Sequence, residues 1–264
     1  MSLVPAPADE RAIRAGLSGV PLWTSVRCVR ETGSTNADLA AAARAGAASG
    51  SVLLSEHQTA GRGRFDRRWE SPLGTSIALS VSLAPRRPVP EWGWLSLLAG
   101  VAVRGGILDA TGTDDARIHL KWPNDVLIDG RKVCGVLSEA VETASGWQAI
   151  VGMGINIAMA EHDLPVANAT SLRIAGLPEN KDALVVATLT RLADLVADWE
   201  AGGDVRGRYV RECASVGRRV RIVESPQRVR EGLGLDVDTD GRLVVRLDDG
   251  SRRAFAAGDV HHLR

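Results

Sequence analysis

The sequence predicts an α+β (mixed α/β) body followed by a small all-β module, and three observations carry that reading. Strand-like and helical runs interleave without the regular β-α-β beat of a doubly wound Rossmann domain. An Asp-Gly pair at 129–130 sits between two apolar runs, the strongest short hairpin signal. From Val216 the texture changes to short alternating strands with Asp-Gly turns at 240–241 and 249–250, the pattern of a small β-barrel. The expected division is an N-terminal segment 1–24, a main domain 25–215 and a C-terminal module 216–264.

The opening "MSLVPAPADERAIRAGL" has two prolines and early acids, unlike the basic start and apolar middle of a signal peptide. A short amphipathic stretch, Asp9 to Leu17, precedes "WTSVRCVR", read as a strand. "GSTNADLAAAARAG" reads as a helix: Ser34 or Thr35 caps it, the alanines propagate it, and Gly46 stops it. "SVLLSEHQ" is the next strand. "TSIALSVSL" alternates, with Ile77, Leu79, Val81 and Leu83 on one face, and so reads as half-buried. "EWGWLSLLAGVAVRGGILDATG" is the longest apolar helix candidate, ended by Gly112. "RIHLKWPNDVLIDGRKVCGVLSEAV" reads as two strands around the Asp129-Gly130 turn, which puts Lys121 and Lys132 on neighbouring strands. "WQAIVGMGINIAM" is a further strand. A polar loop of about 160–180 then leads to "KDALVVATLTRLADLVADWEAGG", a helix ended by two glycines.

Composition excludes several classes. Thirty-two Lys+Arg balance thirty-two Asp+Glu, so any attraction for an anion must be local. Three cysteines far apart in sequence give no disulfide framework and point to a reducing, cytoplasmic setting. The five histidines have no zinc spacing. No apolar run is read as approaching the roughly 18 residues of a membrane span.

Against that neutral background, "HQTAGRGRFDRRW" places Arg62, Arg64, Arg67 and Arg68 on a support containing Gly61 and Gly63. Guanidinium forks suit carboxylate and phosphate, and glycines let a ligand approach the main chain. Phe65 and Trp69 supply apolar weight for a lid. A solvated basic loop is the plainer account. Neither a Walker loop nor a dinucleotide fingerprint fits, because no Gly-Lys-Ser/Thr and no third glycine in register follow. "GSTN" is explained by helix capping, or by small polar side chains facing a compact polar ligand. Asn124-Asp125 in "KWPNDV" is a turn, or part of a cation-lined wall with Lys121 and Lys132. "GMGIN" ends a strand with Gly152, Gly154 and Asn156, for close packing or as the floor of a site.

Taken in order, "STN … EHQTAGRGR…RRW … KWPNDV … GRKVCGVL … GMGIN" closely resembles the biotin protein ligases over about residues 25–215. The terminal module resembles their SH3-like C-terminal domain. The resemblance implies a class II synthetase-like, lipoate/biotin-ligase catalytic domain with a central mixed sheet. It implies an enzyme that joins biotin and ATP, with Mg²⁺, into biotinyl-5′-adenylate. The biotinyl group then passes to one lysine of the biotin carboxyl carrier domain of an acyl-CoA carboxylase.

By the same resemblance, Ser34, Thr35, Asn36 and Gln58 surround biotin's ureido ring, and Gly61, Arg62, Gly63 and Arg64 wrap biotin and the intermediate. Gly135 lines the biotin pocket. Arg62, Arg67, Trp69, Lys121, Asn124, Gly154 and Asn156 face the nucleotide. Lys132, with Arg64 and Arg67, is the expected catalytic centre; no metal ligand is assigned, Asp125 being only a candidate. The segment before residue 25 is too short for the DNA-binding domain that some members carry, so no DNA partner is expected, nor a membrane. Monomer and weak homodimer both remain open. The competing functions are a lipoate or octanoate ligase or transferase, and a non-catalytic anion- or RNA-binding module.

Overall fold

In the computed structural model, which describes residues 5–263, seven strands form one mixed sheet with helices on both faces. The first helix, α1 (Glu10–Gly16), is capped by Asp9, whose carboxylate accepts from the Arg11 and Ala12 amides. Its Ile13 and, just after it, Leu17 are buried in the same core as the main sheet. The edge strand β1 (Ser25–Val29) pairs in parallel with β2 (Ser51–Ser55). Between them runs α2 (Thr35–Arg44), with Ser34 as N-cap and Gly46 in the left-handed region just after it, as the sequence predicts. The outer edge of β1 is covered by α1: Arg14 donates to the Val26 carbonyl and Glu10 accepts from the Cys28 amide.

Next come β3 (Ser76–Leu83), the 19-residue helix α3 (Gly93–Thr111) and β4 (Ile118–Lys121). Then β5 (Asp125–Ile128), β6 (Arg131–Thr143) and β7 (Gly146–Asn156) complete the sheet in the order β1-β2-β3-β7-β6-β5-β4, antiparallel from β2 onward. "IHLK" is thus a third strand beside the expected pair. Lys121 and Lys132 lie on β4 and β6, with β5 between them, and not on neighbouring strands. Helix α3 is long and apolar enough to cross a membrane by length and composition, against the expectation, but 72% of that window is buried in the core.

Helix α4 (Lys181–Glu200) packs along α3 and is capped by Asn180. A short helix, α5 (Val205–Glu212), escaped sequence reading because "VRGRYVRE" follows two glycines and holds a third; it forms on an Asp204 cap and buries Val205 and Tyr209.

Side-chain size on the two sheet faces decides where a site can form. On the α3 side, Ile77, Leu79, Val81, Val151, Met153 and Ile155 are large and join the main core. On the opposite side, α2 covers only a small cluster that includes Leu39, Leu53 and Ile150. Strand β3 is therefore buried on both faces instead of half-buried, since Ser76, Ala78, Ser80 and Ser82 are enclosed as well. Register lines up Ala78–Gly154–Gly135 and Ser80–Gly152–Leu137 across β3, β7 and β6. Where strands carry so little side chain, the sheet surface is a trough.

The C-terminal module is a five-stranded antiparallel sheet: β8 (Arg219–Ser225), β9 (Arg228–Val237), β10 (Leu243–Leu247), β11 (Arg252–Phe255) and β12 (Asp259–His262), ordered β11-β10-β9-β8-β12. With β11 and β12 at opposite ends of that order, no pairing closes the expected SH3-like module into a continuous ring among the described residues. Gly241 and Gly250 take positive φ in the two predicted Asp-Gly turns. Two indoles of the main body fasten this module: Trp94 Nε1 donates to the Thr239 carbonyl at 2.7 Å and Trp122 Nε1 to the Gly241 carbonyl at 2.9 Å.

Candidate active site

The trough opens into a cavity of about 330 Å³. Fifteen of the sixteen sequence-predicted site residues line it: Gly61 alone does not, and acts from behind the wall. A Cβ on Gly61 would come within 2.4 Å of the Trp69 carbonyl and 2.9 Å of Gln58 Nε2, so its lack of a side chain lets the loop close against the wall.

One end of the cavity is neutral, polar and prebuilt. The start of α2 delivers Thr35 and Asn36, both buried. Gln58 Oε1 accepts from the Thr35 amide at 2.8 Å and its hydroxyl at 3.0 Å. Ser80 Oγ lies 2.7 Å from both Thr35 Oγ1 and Asn36 Oδ1, and Asn36 Nδ2 donates to Glu139 Oε2 at 2.8 Å. A Cβ on Gly152 would sit 2.2 Å from Asn36 Oδ1, so this position must be glycine for Asn36 to hold its place. Sequence reading missed Ser80, Glu139 and the role of Gly152. The only signal for Ser80 and Gly152 was the row of small residues alternating with large ones along β3 and β7; Glu139 on β6 had none.

The other end is cationic. Asp125 on β5 is flanked by Lys132 Nζ at 2.5 Å from Oδ1 and Lys121 Nζ at 3.1 Å from Oδ2. Burial pushes the Asp125 carboxyl up, but Lys132 and Lys121 more than offset it and hold it below the ordinary carboxylate range. Asn124 donates to the Val136 carbonyl at 2.7 Å, which fixes the turn between β4 and β5. Asn156, just beyond Gly154, donates to the Thr170 carbonyl and keeps a buried Oδ1 without a partner.

The Arg/Gly segment folds over this end. Gly63 N donates to Arg67 O at 2.6 Å and Trp69 N to Gly61 O at 3.0 Å, making a narrow loop with Phe65 at positive φ on its tip. Each arginine has a partner: Arg62 with Glu139, Arg64 with Asn124 Oδ1 and Gly258 O, Arg67 with Asp259, and Arg68 with Glu70. Partial burial lowers the Arg64 pKa from its usual value, with Asp259 and Asp125 opposing. The two apolar residues part company. Phe65 is 55% exposed, whereas Trp69 lies on the glycine floor, where a Cβ at Gly154 would come within 2.5 Å of its ring. The ring also stands 6.0 Å from Lys132 Nζ.

A wall that sequence reading missed comes from the C-terminal sheet: Asp259, Val260 and His261 line the cavity. Next to them, His262 Nε2 is 2.9 Å from Ser215 Oγ, which accepts from the Trp122 amide. No group of three or more potential metal ligands occurs among the described residues.

Comparison with known proteins agrees with this geometry. Residues 29–156 match the family described as biotin/lipoate A/B protein ligase, and residues 216–263 match the biotin protein ligase C terminal domain. The chain is 38% identical to the biotin--[acetyl-CoA-carboxylase] ligase of Mycobacterium tuberculosis, over 98% of this chain and 97% of that one. It is 32% identical to the ligase of the same name from Paracoccus denitrificans, over 87% and 97%. The bifunctional ligase/repressor BirA of Bacillus subtilis is 29% identical over 96% of this chain and 79% of its own. A solved biotin protein ligase from Aquifex aeolicus, in complex with biotin and ATP, shares the fold with a TM-score of 0.75 at 23% identity, over 92% of this chain and 100% of that one. The chain belongs to the biotin protein ligase family.

Proposed function

We propose that this chain is an ATP-dependent ligase that attaches biotin, through biotinyl-5′-adenylate, to a lysine of the biotin carboxyl carrier domain of acetyl-CoA carboxylase. One observation carries the reading: a single cavity joins a small neutral polar end to a wall of Lys121, Lys132, Arg64 and Arg67. A ureido ring needs both donors and acceptors, which Thr35, Asn36, Gln58 and Ser80 offer. A carboxylate that attacks a phosphate needs cations between the two anions.

In the first step a biotin carboxylate oxygen bonds to the α-phosphorus of ATP, and pyrophosphate leaves with the electron pair of the broken P–O bond. Lys132 lies where these anions meet; it leaves Asp125 to neutralise the charge that builds on the α-phosphate, while Lys121 remains to balance Asp125. Arg64 and Arg67 bind the nucleotide phosphates, and Trp69 and the glycines beneath it form the base-side wall. In the second step the carrier lysine amine bonds to the acyl carbon and AMP leaves. The folded Arg/Gly loop excludes water from the mixed anhydride between the steps. Magnesium would enter on the nucleotide phosphates and screen their charge. Asp125 is the candidate carboxylate for that ion.

We assign residues 25–215 to catalysis, 216–264 to a module that completes the wall, and 1–24 to an N-terminal segment whose Ile13 and Leu17 join the main core. Free cysteines fit a reducing cytoplasm. We expect no DNA partner, and a monomer or weak homodimer. A lipoate or octanoate ligase would call for an apolar blind end, and the hydrogen-bonded polar end disfavours it. The decisive experiment is incubation with biotin, MgATP and a purified carrier domain. A biotinyl mass added to one lysine is the expected result; transfer of lipoate or octanoate with biotin ignored would overturn the assignment.

A further inference from the structure

The outer face of the C-terminal sheet holds positive charge that its own carboxylates do not neutralise. Register puts Arg219 opposite Leu233, Leu233 opposite Arg246, and Arg246 opposite Arg252, so all four lie in one row across β8 to β11. Val220 and Val245, next to Arg219 and Arg246 in sequence, and Phe255, three residues beyond Arg252, point the other way and are buried. Arg221 joins the same face, opposite both Glu231 and His261. Arg219 and Arg221 are paired with Glu231 and Asp248. The Arg246 and Arg252 side chains are exposed and have no partner among the described residues.

Two like charges directly opposite on adjacent strands destabilise a sheet. Nothing in the fold requires that pair. Apolar side chains lie among the arginines: Val223 and Val229 face each other on β8 and β9, and Val229 is 40% exposed. This face is continuous with the active site, because Asp259 and His261 on β12 line the cavity and stand opposite Val223 and Arg221. From β12 to β11 is four strand spacings, about 19 Å. A carrier domain of about 80 residues has a radius of gyration near 12 Å, so one docked with its lysine in the cavity would cover the row.

We propose that this arginine face receives an acidic surface of the carrier protein during transfer, with Arg246 and Arg252 as its uncompensated charges. The proposal rests on the ligase reading and names where that substrate docks. Complementary charge at such a distance from the chemistry acts on encounter and on salt dependence, and leaves adenylate formation alone.

The test uses the full chain, MgATP, biotin and a purified biotin carboxyl carrier domain of an acetyl-CoA carboxylase. The double variant Arg246→Gln/Arg252→Gln should form biotinyl-adenylate at the parent rate, read as pyrophosphate release without carrier. Its KM for the carrier should rise about five- to tenfold at low salt, and the difference should vanish near 0.5 M NaCl. The single variant Arg246→Glu should raise the same KM without lowering Tm, because the new carboxylate faces Arg252. An unchanged carrier KM at low salt overturns the proposal. If the double variant instead aggregates with that KM unchanged, the charges protect the exposed edge strand; if it loses affinity for a short duplex DNA, the face serves nucleic acid. A parent enzyme that makes no adenylate would overturn the ligase reading itself, a different result from a normal adenylation rate with an unaltered carrier KM.

Discussion

The two ends of the cavity are built on opposite principles. At the polar end, Thr35, Asn36, Gln58 and Ser80 satisfy one another through neutral hydrogen bonds between a helix start, strand β3 and the segment after β2. At the cationic end, Lys121, Lys132, Arg64 and Arg67 are held by carboxylates, by an amide oxygen and by the carbonyl of Gly258. Neutral groups on rigid elements define a shape before a ligand comes. Charged groups held by internal anions can exchange those anions for phosphates at little net loss. The comparison teaches that recognition and chemistry are separable here, one resting on fixed geometry and the other on exchangeable pairing.

Substitutions can break that separation, and the largest effect is expected at the cationic end. Lys132→Ala should slow adenylate formation by two to three powers of ten, about 3–4 kcal/mol of transition-state stabilisation, with biotin affinity little changed. Pyrophosphate release in single turnover measures it, and a parent-like rate would remove Lys132 from the chemistry. Next comes Gly152→Ala, whose new methyl must displace Asn36. Its bonds to Ser80 and Glu139 would be lost together, and calorimetry should show biotin binding weakened by about 10- to 100-fold. Nucleotide affinity that fell equally would show that the two ends are one coupled network. Ser80→Ala is milder: it removes one hydroxyl and should weaken biotin about fivefold, near 1 kcal/mol.

The smallest effect sharpens the cationic side through pH. Burial, with Arg218 and Lys121 adding to it, lowers the His262 pKa from 6.5 to about 4. The folded state therefore favours the neutral ring; its stabilising contribution is complete above pH 6.5 and is lost as pH falls from 6.5 toward 4. His262→Gln should flatten the loss of Tm over that window, and a parent-like slope would mean that other groups carry it.

Much of this was legible in the sequence, and the parts that were not share a cause. Local signals located α2, with its Ser34 cap and Gly46 stop, and the Asp-Gly turns, because capping and positive φ are decided within a few residues. The motif resemblance found the polar residues, the Arg/Gly loop and both lysines. Pairing across distance was not readable. The segment from Ile118 to Ile128 read as one strand, because nothing local announces that Trp122–Asn124 folds β5 back on β4, and with that the placing of Asp125 between the lysines was missed. Ser80 and Gly152 look like filler until register sets them against Asn36. Asp259 is 192 residues from Arg67 of the loop that it meets, and no local pattern announces that contact.

The two indole hooks carry a consequence for how the enzyme can be rebuilt. Trp94 and Trp122 grip carbonyls two residues apart in one turn, and Trp122 sits between Lys121 and the turn that bears Asn124. A terminal module borrowed from another ligase would have to present the same two oxygens at the same spacing. Otherwise the graft would loosen the very strand end that carries a phosphate-facing lysine, so chimeras should be chosen by the geometry of that single turn and not by overall likeness.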